Sequence, residues 1–227
     1  MTEDRQSKGK CAYCGQEETQ RKMPGHLAKC PQRRELISKV DRKGGRRDSV
    51  FYLRVRDAWR KEFWLDLEMR GSASLNDLDN YLRAIWLECC GHCSRFSIGG
   101  WKGEEIPKTQ KVKALLGAGI ELTHIYDFGT ESVTLIKARG VREGVPTTPH
   151  PIALMARNLL PEMHCMECKK PAIWLCMECV IEDERWGVLC NAHVKTHPHD
   201  NYGEAVRIVN SPRLGMCGYN GPAAPPY

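Results

Sequence analysis

An α+β fold, a small mixed or antiparallel sheet with covering helices and a small cysteine-rich module at each end, is what this 227-residue sequence predicts. Three observations carry the prediction. Twelve cysteines fall mostly at the two ends of the chain. The middle alternates between period-two and helical apolar spacing. A hydrophobic content of 41% fills one ordinary core with satellites rather than two large domains.

At the N-terminal end, Cys11, Cys14, His26 and Cys30 give the spacing C-x2-C-x11-H-x3-C. A tetrahedral zinc ion takes four ligands at about 2.0–2.3 Å, and two cysteines separated by two residues reach one ion from a single tight turn. In the knuckle Cys11-Ala12-Tyr13-Cys14-Gly15, the glycine supplies the positive φ that such turns often require. Pro24 opens a helix that carries His26 and Cys30, four apart, on one face turned back to the knuckle. The set resembles the small Cys-Cys-His-Cys fingers of the ββα type, ubiquitin-binding fingers among them.

Charge is uneven. Residues 1–56 hold fifteen Lys and Arg against seven Asp and Glu, about +8, and leave 19 against 21 in the rest of a chain whose net charge is +6. Arg33, Arg34, Lys39, Arg42, Lys43, Arg46 and Arg47 follow the finger, broken by Gly44-Gly45, and would neutralise phosphates if nucleic acid were the partner. A solvated tether is the competing reading, since no aromatic residue is interleaved to stack on bases.

From about Val50 to Val141 the cysteine pairs give way to the core. Phe51, Leu53 and Val55 alternate with polar neighbours, as do Phe63, Leu65, Leu67 and Met69 with Trp64, Asp66 and Glu68, so two half-buried strands are expected, the second ending at Gly71. Ser74 and Asp77 form a capping box, after which Leu75, Leu78, Leu82, Ile85 and Trp86 repeat at helical spacing. A short strand over 95–98 ends at Gly99-Gly100, a short helix runs over 108–116, and 120–127 with 132–138 form a hairpin around Gly129.

The order of these elements, with Phe96-Ser97-Ile98-Gly99-Gly100 and Tyr126-Asp127-Phe128-Gly129, resembles the plasmid pRiA4b Orf-three-like family over roughly residues 50–142. The resemblance implies an α+β domain associated with mobile DNA, and no reaction to transfer. Relatives labelled as resolvases lend no mechanism, because no serine nucleophile flanked by arginines is present. The chain departs from the family where Cys93-Ser94-Arg95 replaces a histidine before the aromatic strand position, although His92 is close.

Cys89, Cys90, His92 and Cys93 include one knuckle spacing, Cys90-x2-Cys93, but no second pair lies near in sequence, and core packing of the thiols is favoured over metal. Asp127 with His124 or His92 would make an acid–base couple. A strand-end aspartate anchoring a turn is the more frequent arrangement. Gly144–Pro151 reads as a proline-rich linker, and Ile152–Leu160 as a short helix or an extended strand on the core.

The last module presents four donor pairs in order: Cys165/Cys168, Cys176/Cys179, Cys190/His193 and His197/His199. Alternating pairing, as in cross-braced B-box modules, joins first to third and second to fourth. Consecutive pairing would make a ribbon. The cross-brace is favoured because Cys190-x2-His193 begins a short helix and His-x-His resembles the B-box finish. Cys217 is a spare thiol able to replace either terminal histidine, or a buried thiol in a terminal turn.

Three structural zinc ions are therefore expected. The organisation is 1–48 finger and basic tail, 49–143 core, 144–161 linker and short element, 162–220 double-zinc module and 221–227 disordered tail. Complete, thiolate-rich donor sets leave no open position for water, so no enzyme is expected. No apolar run approaches the ~20 residues of a bilayer span. Nothing at the start reads as a signal peptide, and thiols arranged for metal suit a reducing cytoplasm. Two function classes remain: a non-catalytic zinc-binding protein of a mobile element or defence system that binds nucleic acid through its basic N-terminal finger and the tail after it, and an adaptor whose zinc modules dock protein partners.

Overall fold

The computed structural model describes residues 7–87, 91–116, 120–219, 221 and 223–227. They divide into two compact units: residues up to Tyr81 with Cys93–Leu159 and Tyr227, and Leu82–His92 with Leu160–Pro226. The fold is α+β, as the sequence predicts.

The first unit is built on a sheet larger than expected. Its strands are β1 (Lys8–Cys11), β2 (Glu17–Thr19), β3 (Asp48–Asp57), β4 (Trp64–Arg70), β5 (Ser94–Ile98), β6 (Glu104–Ile106), β7 (Glu121–Tyr126), β8 (Ser132–Gly144) and β9 (Ile152–Asn158). They are ordered β2-β1-β9-β4-β3-β8-β7-β5-β6, and each neighbouring pair is antiparallel. The segment after the proline-rich stretch takes the strand option, and β9 joins the finger to the core by pairing with β1 on one side and β4 on the other. The finger thus extends the same sheet.

One face of that sheet is apolar. Leu53, Val55, Leu65, Leu67, Met69, Leu122 and Ile136 are fully buried on it, together with Leu75 and Leu78 of α3 (Leu75–Leu82). The capping box forms: Asp77 Oδ2 accepts from the Ser74 amide and hydroxyl at 2.7 Å, and the Asp77 amide donates back to Ser74 Oγ at 3.3 Å. The helix continues as a π-helical turn over Arg83–Leu87.

The other face corrects the expectation of half-buried strands, because every β4 residue except Arg70 is buried. Trp64 is covered by the finger, in one apolar cluster with Cys11, Met23, Leu27, Cys30, Met155 and Ala156. Asp66 is saturated by Arg54, whose Nε and Nη2 donate at 2.6 and 2.9 Å, and Glu68 accepts from Arg33 at 2.6 Å and Arg142 at 3.0 Å. Paired charges tolerate burial where single ones would not.

The expected helix over 108–116 is reduced to α4 (Val112–Leu115), and the expected strand over 132–138 runs on to Gly144 past a bulge opposite Tyr52/Leu53. The tail is not free at its last residue. Tyr227 stacks on His150 at 4.1 Å, and its hydroxyl accepts from the Ile152 amide at 3.2 Å.

The second unit contains the short strands β10 (Trp174–Leu175), β11 (Val188–Leu189) and β12 (Val206–Arg207), ordered β11-β10-β12, and helix α5 (Met177–Ile181). Its buried cluster is mostly sulfur: Cys165, Cys176, Cys179 and Cys190 with Leu189.

Candidate metal centres and charged surfaces

In the finger, the end of β1 supplies Cys11 and the following turn Cys14, with Gly15 at φ 77°. Helix α1 (Met23–Lys29) carries His26, and Cys30 caps its C-terminal end before α2 (Pro31–Lys43) begins. The four donor atoms all lie within 4.8 Å of one another. In the second unit the donors gather as Cys165, Cys168, Cys190 and His193, and as Cys176, Cys179, His197 and His199. First pair meets third and second meets fourth, the alternating arrangement.

The spacing of these atoms tests whether a metal fits. Bonds of about 2.0–2.3 Å at tetrahedral angles put neighbouring donors about 3.3–3.8 Å apart. Cys14 Sγ lies 3.3 Å from His26 Nε2, and Cys165 Sγ 3.3 Å from His193 Nδ1. Cys168 and Cys190 sulfurs are 3.9 Å apart, and Cys190 Sγ is 3.7 Å from His193 Nδ1. Cys179 Sγ is 3.2 Å from both His197 Nε2 and His199 Nδ1, and Cys176 Sγ is 3.7 Å from the latter. These are edges of a coordination tetrahedron, and all ten described cysteines are free thiols. Each cluster could hold a metal ion and is compatible with zinc.

Burial pushes the Cys11 thiol up to about 11 and the Cys179 thiol up to about 12. A bound dication reverses that logic, since the thiolate is the ligand and binding expels the proton.

Cys217 lies outside these three clusters. Far from a buried thiol, it is exposed at φ 60°, its sulfur 3.3 Å from an Arg213 guanidinium nitrogen. Cys89 and Cys90 lie outside the described residues, while Cys93 is exposed.

His124 finds a partner the sequence reading did not propose. Its Nε2 meets Asp79 Oδ1 at 2.7 Å, and the same oxygen accepts from Ser94 Oγ at 2.7 Å. Lys108 Nζ donates to Asp79 Oδ2 at 3.0 Å and to Ser94 Oγ at 2.6 Å. His124 is fully buried. Asp127 anchors its turn, at φ 61°, accepting from the Gly129 and Thr130 amides at 3.2 Å.

The seven basic residues singled out after the finger are placed differently from one another. Arg33 is half-buried and committed, bonding Glu68 and donating to the Leu27 carbonyl at 3.2 Å, which ties α2 to the sheet. Arg34, Lys39, Arg42, Lys43, Arg46 and Arg47 are exposed. Among the described residues these six form no ion pair; Arg34, Arg42 and Arg47 donate only to backbone carbonyls, of Ala28, Ser38 and Glu143.

A second basic surface escaped sequence reasoning. Arg54, Arg56, Lys137 and Arg139 line one cavity of about 410 Å³ with Arg21 of the finger and Glu121 at its edge. The only signal was two basic residues at alternate positions in each of two strands, which means nothing until the register places β3 against β8.

No family model and no curated protein matches this chain. Among solved structures, a protein of unknown function from Methanosarcina mazei Go1 aligns at 14% identity with a TM-score of 0.41, over 48% of this chain and 69% of that one. Among the described residues, no helix is long and apolar enough to cross a membrane.

Proposed function

We propose that this is a non-catalytic zinc-binding protein of a mobile element or defence system, with a pRiA4b Orf-three-like central domain, that binds nucleic acid through α2 and the basic segment following it. The observation that carries the reading is the split among the basic residues. Arg33 fixes the helix to the sheet through Glu68, while Arg34, Lys39, Arg42, Lys43, Arg46 and Arg47 are exposed and, among the described residues, have no carboxylate partner. Unneutralised cations on an anchored helix are what phosphate contact requires.

The ions are structural in this reading. Each donor set supplies four protein ligands, which leaves no coordination position for a substrate water. The Asp79–His124–Ser94–Lys108 network holds side chains of catalytic type, but an imidazole with no exposed surface meets no substrate. We read it as a buried polar network that locks α3 to β5 and β7.

The test is binding of the zinc-loaded protein to labelled duplex DNA and single-stranded RNA across a salt series, beside a Lys39→Ala/Arg42→Ala/Lys43→Ala variant. Log affinity should fall linearly with log salt, and the slope should drop by about 1 for each phosphate contact removed. No binding at low salt with full zinc content defeats the reading. It would favour an adaptor, for which the exposed Trp186 of the second unit, 60% accessible, is the first surface to probe.

A further inference from the structure

The charged face of the sheet is covered by the finger over β4 and β9, but over β3, β8 and β7 it is open, and there the cavity of about 410 Å³ lies. Its composition follows from the register. Arg54 stands opposite Lys137, which stands opposite Glu121, so one cross-strand row reads cation, cation, carboxylate. In the next row Arg56 stands opposite Leu135. The bulge sits just beyond, where Tyr52 pairs with Gly140 but Leu53 with Ala138, and Arg139 is the residue left over. An extra residue in one strand re-aims the side chains around it. Here Lys137, Arg139 and Arg142 all project from the charged face, whereas strict alternation would turn Arg142 to the core.

The cations of the cavity divide into two kinds. Arg54 belongs to the wall: Asp66 neutralises it, its remaining hydrogens reach the Gln20 carbonyl at 3.3 Å, and it lies 4.8 Å from the Trp64 ring centre. Arg21, Arg56, Lys137 and Arg139 are different. Among the described residues none of these four side chains forms an ion pair or a hydrogen bond with the protein. Like charges gathered across neighbouring strands repel, and Glu121 alone does not balance four cations. The carboxylates of the adjoining part of this same face, Asp66 and Glu68 in β4, are bonded by Arg54 and by Arg33 and Arg142, and only a longer-range attraction reaches from Asp66 to Arg139.

We propose that this cavity is a binding site for a phosphate-bearing ligand, with Arg56, Arg139, Lys137 and Arg21 as its donors. Guanidinium forks match phosphate oxygens two at a time. Several converging cations suit a group carrying two or more negative charges better than a single carboxylate. The volume falls in the range that small ligands occupy, from about 300 Å³ upward, and Pro24 and Leu135 give the cavity apolar lining. The phosphate could come from a free polyphosphate or nucleotide, or from the terminal phosphate of a polynucleotide. The inference goes beyond the nucleic-acid reading and does not need it, since none of these donors lies on α2.

The experiment is calorimetric titration of the zinc-loaded full chain with inorganic pyrophosphate at fixed ionic strength, against sulfate. Wild type should bind pyrophosphate saturably at one site, and Arg56→Ala/Arg139→Ala should weaken it at least tenfold while keeping its zinc content and thermal midpoint. The Lys39→Ala/Arg42→Ala/Lys43→Ala protein should bind pyrophosphate as wild type does, whatever its behaviour on DNA. A 5′-phosphorylated oligonucleotide that outcompetes its 5′-hydroxyl twin only when Arg56 and Arg139 are present assigns the phosphate to a chain end. Equal competition by the two, with pyrophosphate binding intact, assigns it to a free phosphate compound. Absence of saturable binding, equal affinity for sulfate, or an equal loss in the α2 variant overturns the proposal.

Discussion

The two regions that carry metal-ligand clusters are built on opposite principles. The finger contributes donors to a body that already has a core: Cys11 and Cys30 lie among Met23, Leu27, Trp64, Met155 and Ala156, and β1 is hydrogen-bonded into a nine-stranded sheet. In the second unit, strands β10, β11 and β12 are two residues each, and one buried cluster beside them consists of ligand cysteines with Leu189, while Leu175, Val188, Leu214, Met216 and Tyr219 add separate apolar burial. A metal bound in the finger would therefore add to a structure held by apolar burial, whereas metals bound in the second unit would supplement the small apolar core that short strands assemble.

The largest effect expected from this difference is the response to losing a ligand. Structural zinc in small modules contributes on the order of 10–16 kcal/mol to folding. Cys176→Ala should release one ion and open residues 160–226 to limited proteolysis, because the cluster's buried residues are chiefly the ligands themselves. Cys14→Ala should also release one ion but leave the sheet folded, with only residues up to about 30 becoming cleavable. Metal content by elemental analysis and protease mapping read both variants together. Equal protection of the two regions after loss of their ions would dissolve the distinction, and retention of every ion by Cys176→Ala would refute the alternating ligand pairing.

A sharper probe lies at the join between finger and sheet. Trp64 has no exposed surface, and its indole nitrogen donates to Ser7 Oγ at 2.9 Å. Trp→Ala changes at such sites cost about 3–5 kcal/mol. Trp64→Ala should destabilise the first unit by that amount, read as a lower urea midpoint, and make finger and sheet unfold in separate steps. If the variant keeps a single transition at the wild-type midpoint, the finger is independent of the core and the comparison fails on that side.

How much of this was legible depends on how far apart in sequence the partners lie. The ligand sets were readable because each is made of short-range pairs, and the order of pairs in the last module favoured the alternating arrangement. The capping box at Ser74 and the β7–β8 hairpin were readable for the same reason. What was hidden is what the register decides. Nothing in Lys8-Gly9-Lys10-Cys11 announces a strand, because its partner β9 is far away in the chain and its burial comes from Trp64 and Met155 rather than from its own composition. Asp127 was offered His124 or His92 as an acid–base partner, with His124 its near neighbour in sequence, when the carboxylate that meets His124 is Asp79 on α3. Arg33 was grouped with its basic neighbours, and only the fold shows that Glu68, 35 residues on, claims it.

That last pairing gives the smallest and most specific prediction. Burial alone raises the Glu68 carboxyl, but the guanidinium groups of Arg142 and Arg33 outweigh it and hold the group below the ordinary carboxylate range. A folded value below the unfolded one of about 4.3 means that the ionised form stabilises the fold, fully above that pH, and that the contribution disappears as pH falls through the folded value. Removing one partner of a buried pair costs about 3–5 kcal/mol. Arg33 and Arg142 side chains are 15% and 21% exposed, so water offsets part of that, and Glu68→Gln should cost nearer about 2 kcal/mol at pH 7. Between pH 6 and pH 3 the wild type should lose stability faster than the variant, so that their urea midpoints converge. A gap that stays constant over that interval would mean that Glu68 fastens the finger helix by shape and neutral hydrogen bonding, and that charge plays no part in joining α2 to the sheet.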